Sequence, residues 1–187
     1  MLAVIVEVFN DHGFEAATLE LIAKRLGLSK SAVYHHFASK VEMLELALER
    51  VLGALEAVFD APQASQGTAV ERMDFVVRGA VMVACQQRSY LTLLVRLHGN
   101  SEVEIAAMAR RRAVDAQLRA IFEASMVEGT LRLDIDPGIA ERFTFGLINS
   151  IVEWYRPAGS LRPDQIAEAV LLFMRGGLRP EGMQIAR

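Results

Sequence analysis

The feature that most constrains the fold is the stretch at residues 18–44, TLELIAKRLGLSKSAVYHHFASKVEML. Thr18, Ser29 and Ser39 each precede a run with helical spacing, and all three are residue types that accept a backbone N–H at a helix start. Gly27 lies between the first two runs, where a helix can close in the left-handed conformation. Ser39-Lys40-Val41-Glu42 reads as a capping box, with Glu42 placed to reach back to the Ser39 amide. Three caps and a glycine turn in so short a span leave room only for short helices folded against one another.

The flanking chain continues the pattern. Residues 2–12 read as a first helix with Val4, Ile5, Val8 and Phe9 on one stripe and Gly13 as its stop. Beyond the capping box, Val41, Leu44, Leu48, Val51, Leu52 and Leu55 mark one face to about residue 59. The segment APQASQG, residues 61–67, has no periodicity and reads as a loop. Helical patterns follow at 68–87, at 90–97 (closed by His98-Gly99-Asn100) and at 103–128, which carries Arg110-Arg111-Arg112. Asp136 with Pro137 opens a helix to about Tyr155, and Pro163-Asp164 opens a last one expected to stop at Gly176-Gly177. The reading is all-α, with an N-terminal three-helix domain at 1–45 and a larger helical domain at 46–187. The last two helices are apolar on more than one face, through Ile139, Phe143, Phe145, Leu147 and Ile148, then Ile166, Val170, Leu171 and Phe173. Such helices require burial on all sides, and a second copy of the chain, giving a homodimer, is the expected cover.

Hydrophobic residues make up 52% with only 5 prolines, which excludes a disordered chain. The net charge of −3 argues against a protein that coats nucleic acid, so any such surface is local. Residues 18–40 supply it: Lys24, Arg25, Lys30 and Lys40 face a single carboxylate, Glu20. One cysteine, Cys85, excludes an internal disulfide and fits a reducing cytoplasm. The apolar start is too short to span a bilayer and lacks a signal peptide's basic region, so a cytoplasmic protein without membrane attachment is expected.

A helix-turn-helix needs a small residue where its helices cross, a turn tolerant of positive φ, and apolar locks. Ala23, Gly27, and Ile22, Leu26, Leu28 and Val33 fill these roles in turn. The order Thr18, Ile22-Ala23, Leu26-Gly27-Leu28-Ser29, Tyr34, His36-Phe37, Ser39-Lys40, Glu42 and Leu44 closely resembles the DNA-binding domain of the TetR family of transcriptional regulators. The resemblance covers about residues 1–50. It implies that Thr18, Tyr34 and Lys40 touch phosphates of a double-stranded operator. Ser29 caps the reading helix, Lys30, Ser31, Ala32 and His35 sit over bases, and Phe37 anchors that helix inward. Members of the family usually carry further residues before this point, often basic. The expectation is that this chain, which begins inside the first helix, binds DNA more weakly for their lack.

The larger half resembles the subgroup of that family containing acyl-CoA-responsive repressors, chiefly through Trp154-Tyr155-Arg156-Pro157-Ala158-Gly159. The resemblance implies a repressor released by a small hydrophobic or acyl-CoA-type effector. Met82, Cys85, Tyr90, Leu94, His98, Asn149 and Trp154 are the candidate pocket residues, and Arg156 or the Arg110–Arg112 run is a candidate for a CoA phosphate. The stripe of Met82, Cys85, Tyr90, Leu94 and His98 reads more often as plain core than as a binding site, the Arg110–Arg112 run more often as a solvated face, and Trp154 equally as an aromatic plug between protomers. The alternative function is a ligand-binding or carrier dimer that has lost specific DNA binding. Cys85 has no His or Asn partner signature, and no phosphate loop, zinc spacing or nucleophile elbow appears, so neither enzyme, cofactor nor metal is expected.

Overall fold

The computed structural model describes residues 1–179, so the end of the expected second domain, 180–187, lies outside the described residues. Among the described residues the chain is all-helical: α1 (Leu2–His12), α2 (Leu19–Leu26), α3 (Lys30–His36), α4 (Lys40–Asp60), a 3₁₀ turn (Pro62–Ala64), α5 (Ala69–Gln86), α6 (Arg88–Val95), α7 (Glu102–Val127), α8 (Pro137–Trp154) and α9 (Pro163–Leu178). No helix among them is long and apolar enough to cross a membrane.

The helices form two compact units. Among the described residues the first comprises 1–53 and 87–110, and the second 54–86 and 111–179. The first unit therefore joins the three-helix segment, and the start of α4, to α6 and the start of α7. Its core is built from Ile5, Val8 and Phe9 of α1, Ile22 of α2, Val33 of α3, Met43, Leu44 and Leu52 of α4, and Leu91 and Leu94 of α6, all buried. Fully burying an aliphatic or aromatic side chain of this size contributes about 1.5–3 kcal/mol. Asn10 links α1 to both ends of α6: its Nδ2 donates to Ser89 O at 2.8 Å, and its own carbonyl accepts from Arg96 Nη1 at 3.3 Å.

In the second unit α5 packs against α8 and α9. A Cβ on Gly79 of α5 would overlap the methyls of Val58 on α4, so the two backbones approach closely there. Asp136 caps α8 by accepting from Ile139 N at 3.1 Å, with Pro137 at the first position, as the sequence predicts. Polar ties between α5 and α9 include Arg78 with Glu168 at 2.6 Å, and Arg175 with Asp74. Asp115 on α7 is half-buried, and desolvation raises its pKa. Glu141 on α8 is also raised, first by burial and then by the neighbouring Asp115 charge.

Four local expectations change. Val41 lies in the first turn of α4 at the edge of its apolar stripe and is exposed, while Met43 and Ala47 take core places. Leu28 is likewise exposed; its amide, bonded to Ala23 O at 3.0 Å, helps close the turn while its side chain stays outside the core. Glu42 reaches past Ser39 to the amide of Ala38. Finally, α9 runs through Gly176 and Gly177 to Leu178, since neither glycine adopts the positive φ that would end it.

Candidate nucleic-acid interface

The local chemistry of α2 and α3 follows from their caps. Thr18 Oγ1 accepts from Leu21 N at 3.2 Å and starts α2. At its end Gly27 takes φ 66°, ψ 29°, its amide bonds Lys24 O at 3.2 Å, and the Leu28 amide bonds Ala23 O at 3.0 Å. That pair of bonds is the Schellman closure, which needs a residue free to adopt positive φ. Ser29 then opens α3, accepting from Ala32 N at 3.2 Å and lying 2.9 Å from Ser31 Oγ. The turn between the helices is thus fixed by backbone bonds on the α2 side and by the Ser29 side-chain cap on the α3 side. Ile22, Ala23, Val33 and Phe37 are buried beneath it.

What α3 leaves outward is Lys30, Ser31, Tyr34, His35 and His36, all exposed, with Ala32 half-buried. The Tyr34 ring is about half exposed although the residue belongs to a packed helix. Thr18 is exposed at the start of α2. His35 and His36 meet edge to face, with ring centroids 5.6 Å apart.

Arg25, Lys30 and Lys40 each engage a neighbouring element. Lys30 is ion-paired with Glu20 of α2, and Arg25 Nη2 lies 3.1 Å from Asp11 Oδ2 of α1. Lys40 Nζ donates to the carbonyls of Phe14 at 2.7 Å and Glu15 at 3.2 Å, and sits 4.4 Å from the centre of the Phe14 ring. Phe14 in turn meets Phe9 edge to face at 5.3 Å. Lys40 therefore ties the start of α4 to the loop between α1 and α2. Neither the Glu20 pair nor this tie follows from sequence spacing.

The candidate ligand residues divide between the units. Tyr90, Leu94 and His98 belong to the first. Tyr90 is buried beneath the Arg50 guanidinium, 4.9 Å from its ring centre, Leu94 is core, and His98 is exposed in the loop after α6. His98 lines a cleft of about 360 Å³ with Phe9, Phe14, Leu93 and Leu97. Below it Glu104, only 5% exposed, accepts from the amides of His98, Gly99 and Asn100 at 3.2, 2.8 and 3.1 Å.

Met82, Cys85, Asn149 and Trp154 belong to the second unit. Cys85 is buried, which raises its thiol pKa. Trp154 is exposed, with its Nε1 3.4 Å from Ser150 Oγ, and lines an open groove of about 360 Å³ with Leu161, Gln165 and Phe173. Arg110 pairs with Glu49, and Arg156 donates to the carbonyls of Glu153 and Tyr155. Among the described residues no group of three or more His, Cys, Asp or Glu side chains is placed to hold a metal ion.

Comparison with known proteins agrees with this architecture. Residues 1–47 match the model for bacterial regulatory proteins of the tetR family, and residues 66–178 match the tetracyclin repressor-like C-terminal domain. The HTH-type transcriptional repressor KstR2 of Mycobacterium tuberculosis H37Rv is 26% identical over 98% of this chain and 93% of its own. A crystal structure of a TetR-family member from Streptomyces coelicolor A3 is 40% identical and superimposes with a TM-score of 0.89, over 95% of this chain and 90% of that one. AibR, crystallised with isovaleryl coenzyme A and operator DNA, shares the fold at a TM-score of 0.74 and 22% identity, over 92% of this chain and 94% of its own. These relatives are DNA-binding regulators and not enzymes, and the chain belongs to the TetR family of bacterial transcriptional regulators.

Proposed function

We propose that this regulator is a homodimeric repressor that reads its operator with α3 and is released by a small hydrophobic or acyl-CoA-type effector. The carrying observation is the outward face of a helix closed at both ends by its own caps: Lys30, Ser31, Tyr34 and His35 stand exposed above a buried Val33–Phe37 anchor. A helix held this way enters the major groove without further ordering, so its side chains meet base edges at little entropic cost. Lys30, Ser31, Ala32 and His35 are assigned to bases, and Thr18, Tyr34 and the α3 cap at Ser29 to the backbone. Lys40 serves the backbone contacts chiefly by fixing the α1–α2 loop, through its bonds to Phe14 and Glu15.

Two reading heads bind two half-sites about 34–36 Å apart, which requires a defined dimer. The apolar outer face of α8 and α9, with Phe143, Leu172 and Phe173 between 70% and 75% exposed, supports a dimer through these helices. An effector that prefers a different dimer geometry lowers operator affinity by linkage. The kinship with KstR2, a repressor, supports the sign of regulation. The coenzyme A thioester bound by AibR supports the effector class.

A mobility-shift assay against the region upstream of its own gene tests the reading. Specific retardation that weakens with salt, and is reversed by an acyl-CoA, is expected. Equal affinity for random duplex would overturn it. Lys30→Ala or His35→Ala is expected to cost about 1–3 kcal/mol on the preferred site and to relax sequence preference there.

A further inference from the structure

We propose that Glu20 is a specificity-determining residue that acts through Lys30, by withdrawing the lysine from non-specific phosphate binding and committing it to a guanine edge. The inference rests on the reading of α3 as the recognition helix.

Lys30 is the first residue of α3 and Glu20 the second of α2. Their side chains form an ion pair while remaining 52% and 65% exposed. Glu20 has Lys24 four residues on in its own helix, the orientation that favours an intrahelical pair. It contacts Lys30 of the next helix instead. It is also the one carboxylate among the cations of residues 18–40.

The consequence is electrostatic. A lone lysine on a DNA-facing helix gains most from phosphates, which are everywhere and carry no sequence. The Lys30–Glu20 pair taken together carries no net charge, so it releases fewer counterions than a lone lysine and gains less from backbone alone. Its carboxylate partner is repelled by phosphate. The pair is well placed only in the groove, where the ammonium's remaining N–H groups meet acceptors. Guanine O6 and N7 are the acceptors that lysine matches best, and the cytosine N4 amino group of the same base pair can donate to a carboxylate. Donor and acceptor side by side thus complement a G·C edge and oppose a bare phosphate.

The test uses duplexes that the full chain enriches from a randomised pool, compared with random duplex of the same length across a series of NaCl concentrations. If the unaltered chain enriches nothing, the reading of α3 fails, and that result is distinct from failure of the role assigned to Glu20. Where it enriches a site, Glu20→Gln is expected to raise affinity for random duplex and steepen the salt slope by about 0.9. It should also cut the specific-to-random ratio at least roughly five-fold, with the loss concentrated at one G·C pair. In a Lys30→Met background the same substitution should leave the ratio unchanged. A smaller fall than five-fold, or an equal fall with and without Lys30, overturns the proposal. Glu20→Asp keeps the charge and should retain most of the ratio, which separates the ion pair from any effect on folding of α2.

Discussion

Gly13 and Gly27 separate two costs that are easily confused. A Cβ at either position would meet nothing within 4 Å, so backbone conformation alone decides the outcome. Gly27 sits in the left-handed helical region, which non-glycine residues visit at about 1–2 kcal/mol. Gly13, at φ 79° and ψ 152°, lies in a region that is essentially glycine-only, where strain reaches about 1–3 kcal/mol. Gly13→Ala is therefore expected to destabilise more than Gly27→Ala in urea unfolding, and Gly27→Asn to be tolerated. Equal losses at the two sites would show that contacts, rather than φ and ψ, set the cost. Lys40 offers a second measurement at this scale. Two charge-assisted bonds to carbonyls and a ring contact disappear in Lys40→Met, for an expected loss of about 1–3 kcal/mol. An unchanged unfolding midpoint would return Lys40 to a role in DNA contact alone.

At the scale of elements, the close approach of α4 and α5 turns on one missing methyl. Gly79→Ala would press into Val58, and overpacking of this kind costs about 1–3 kcal/mol. Val58→Ala in the same chain should recover part of that loss, because the second change removes the methyls the first one strikes. A double variant no more stable than Gly79→Ala would argue against the contact. A different pairing of elements carries a pH dependence. Asp115 on α7 has its folded pKa raised by burial, against the opposing charge of Arg111. The penalty on the charged form is absent below the unfolded carboxylate value. It builds as pH rises from the unfolded value to the raised folded one, and is fully present above that. Asp115→Asn should raise Tm near neutral pH and change it little below about pH 3; the opposite ordering would sink the argument. Helices and caps of this kind were largely legible in the sequence, because capping, glycine closure and apolar period are local properties of neighbouring residues. The pairs that tie α2, α3 and the start of α4 to their neighbours were not. Glu20 and Lys30 are ten residues apart across a turn. Lys40 bonds carbonyls twenty-five and twenty-six residues earlier. Sequence period does not encode distances that depend on how one helix lies on the next, and the exposure of Val41 and Leu28 was lost for the same reason.

For the whole molecule the decisive feature is the apolar face that α8 and α9 leave exposed. Phe143 and Phe173 line a hollow of about 140 Å³ with Thr144, Leu147 and Met174, and Phe173 also borders the Trp154 groove. Large aromatic side chains left in water on adjoining helices form the kind of contiguous apolar surface that marks a protein–protein interface. In the proposed dimer, a second copy of the same face would cover it by two-fold symmetry, each protomer bringing both the hollow and a ring that can fill one. Phe143→Glu together with Phe173→Glu places charges on that face in both copies. Each such charge is buried without a partner if the dimer forms, and a desolvated charge costs more than a rim contact returns. The double variant is expected to sediment as a monomer at concentrations where the unaltered chain is a dimer, with helical content by circular dichroism unchanged. Affinity for a two-half-site operator should fall steeply, while affinity for a single half-site stays the same, because the second head no longer binds from a tethered position. A monomer that retained full affinity for the paired site would show that the heads act independently. A dimer that survived the substitutions would move the interface away from α8 and α9.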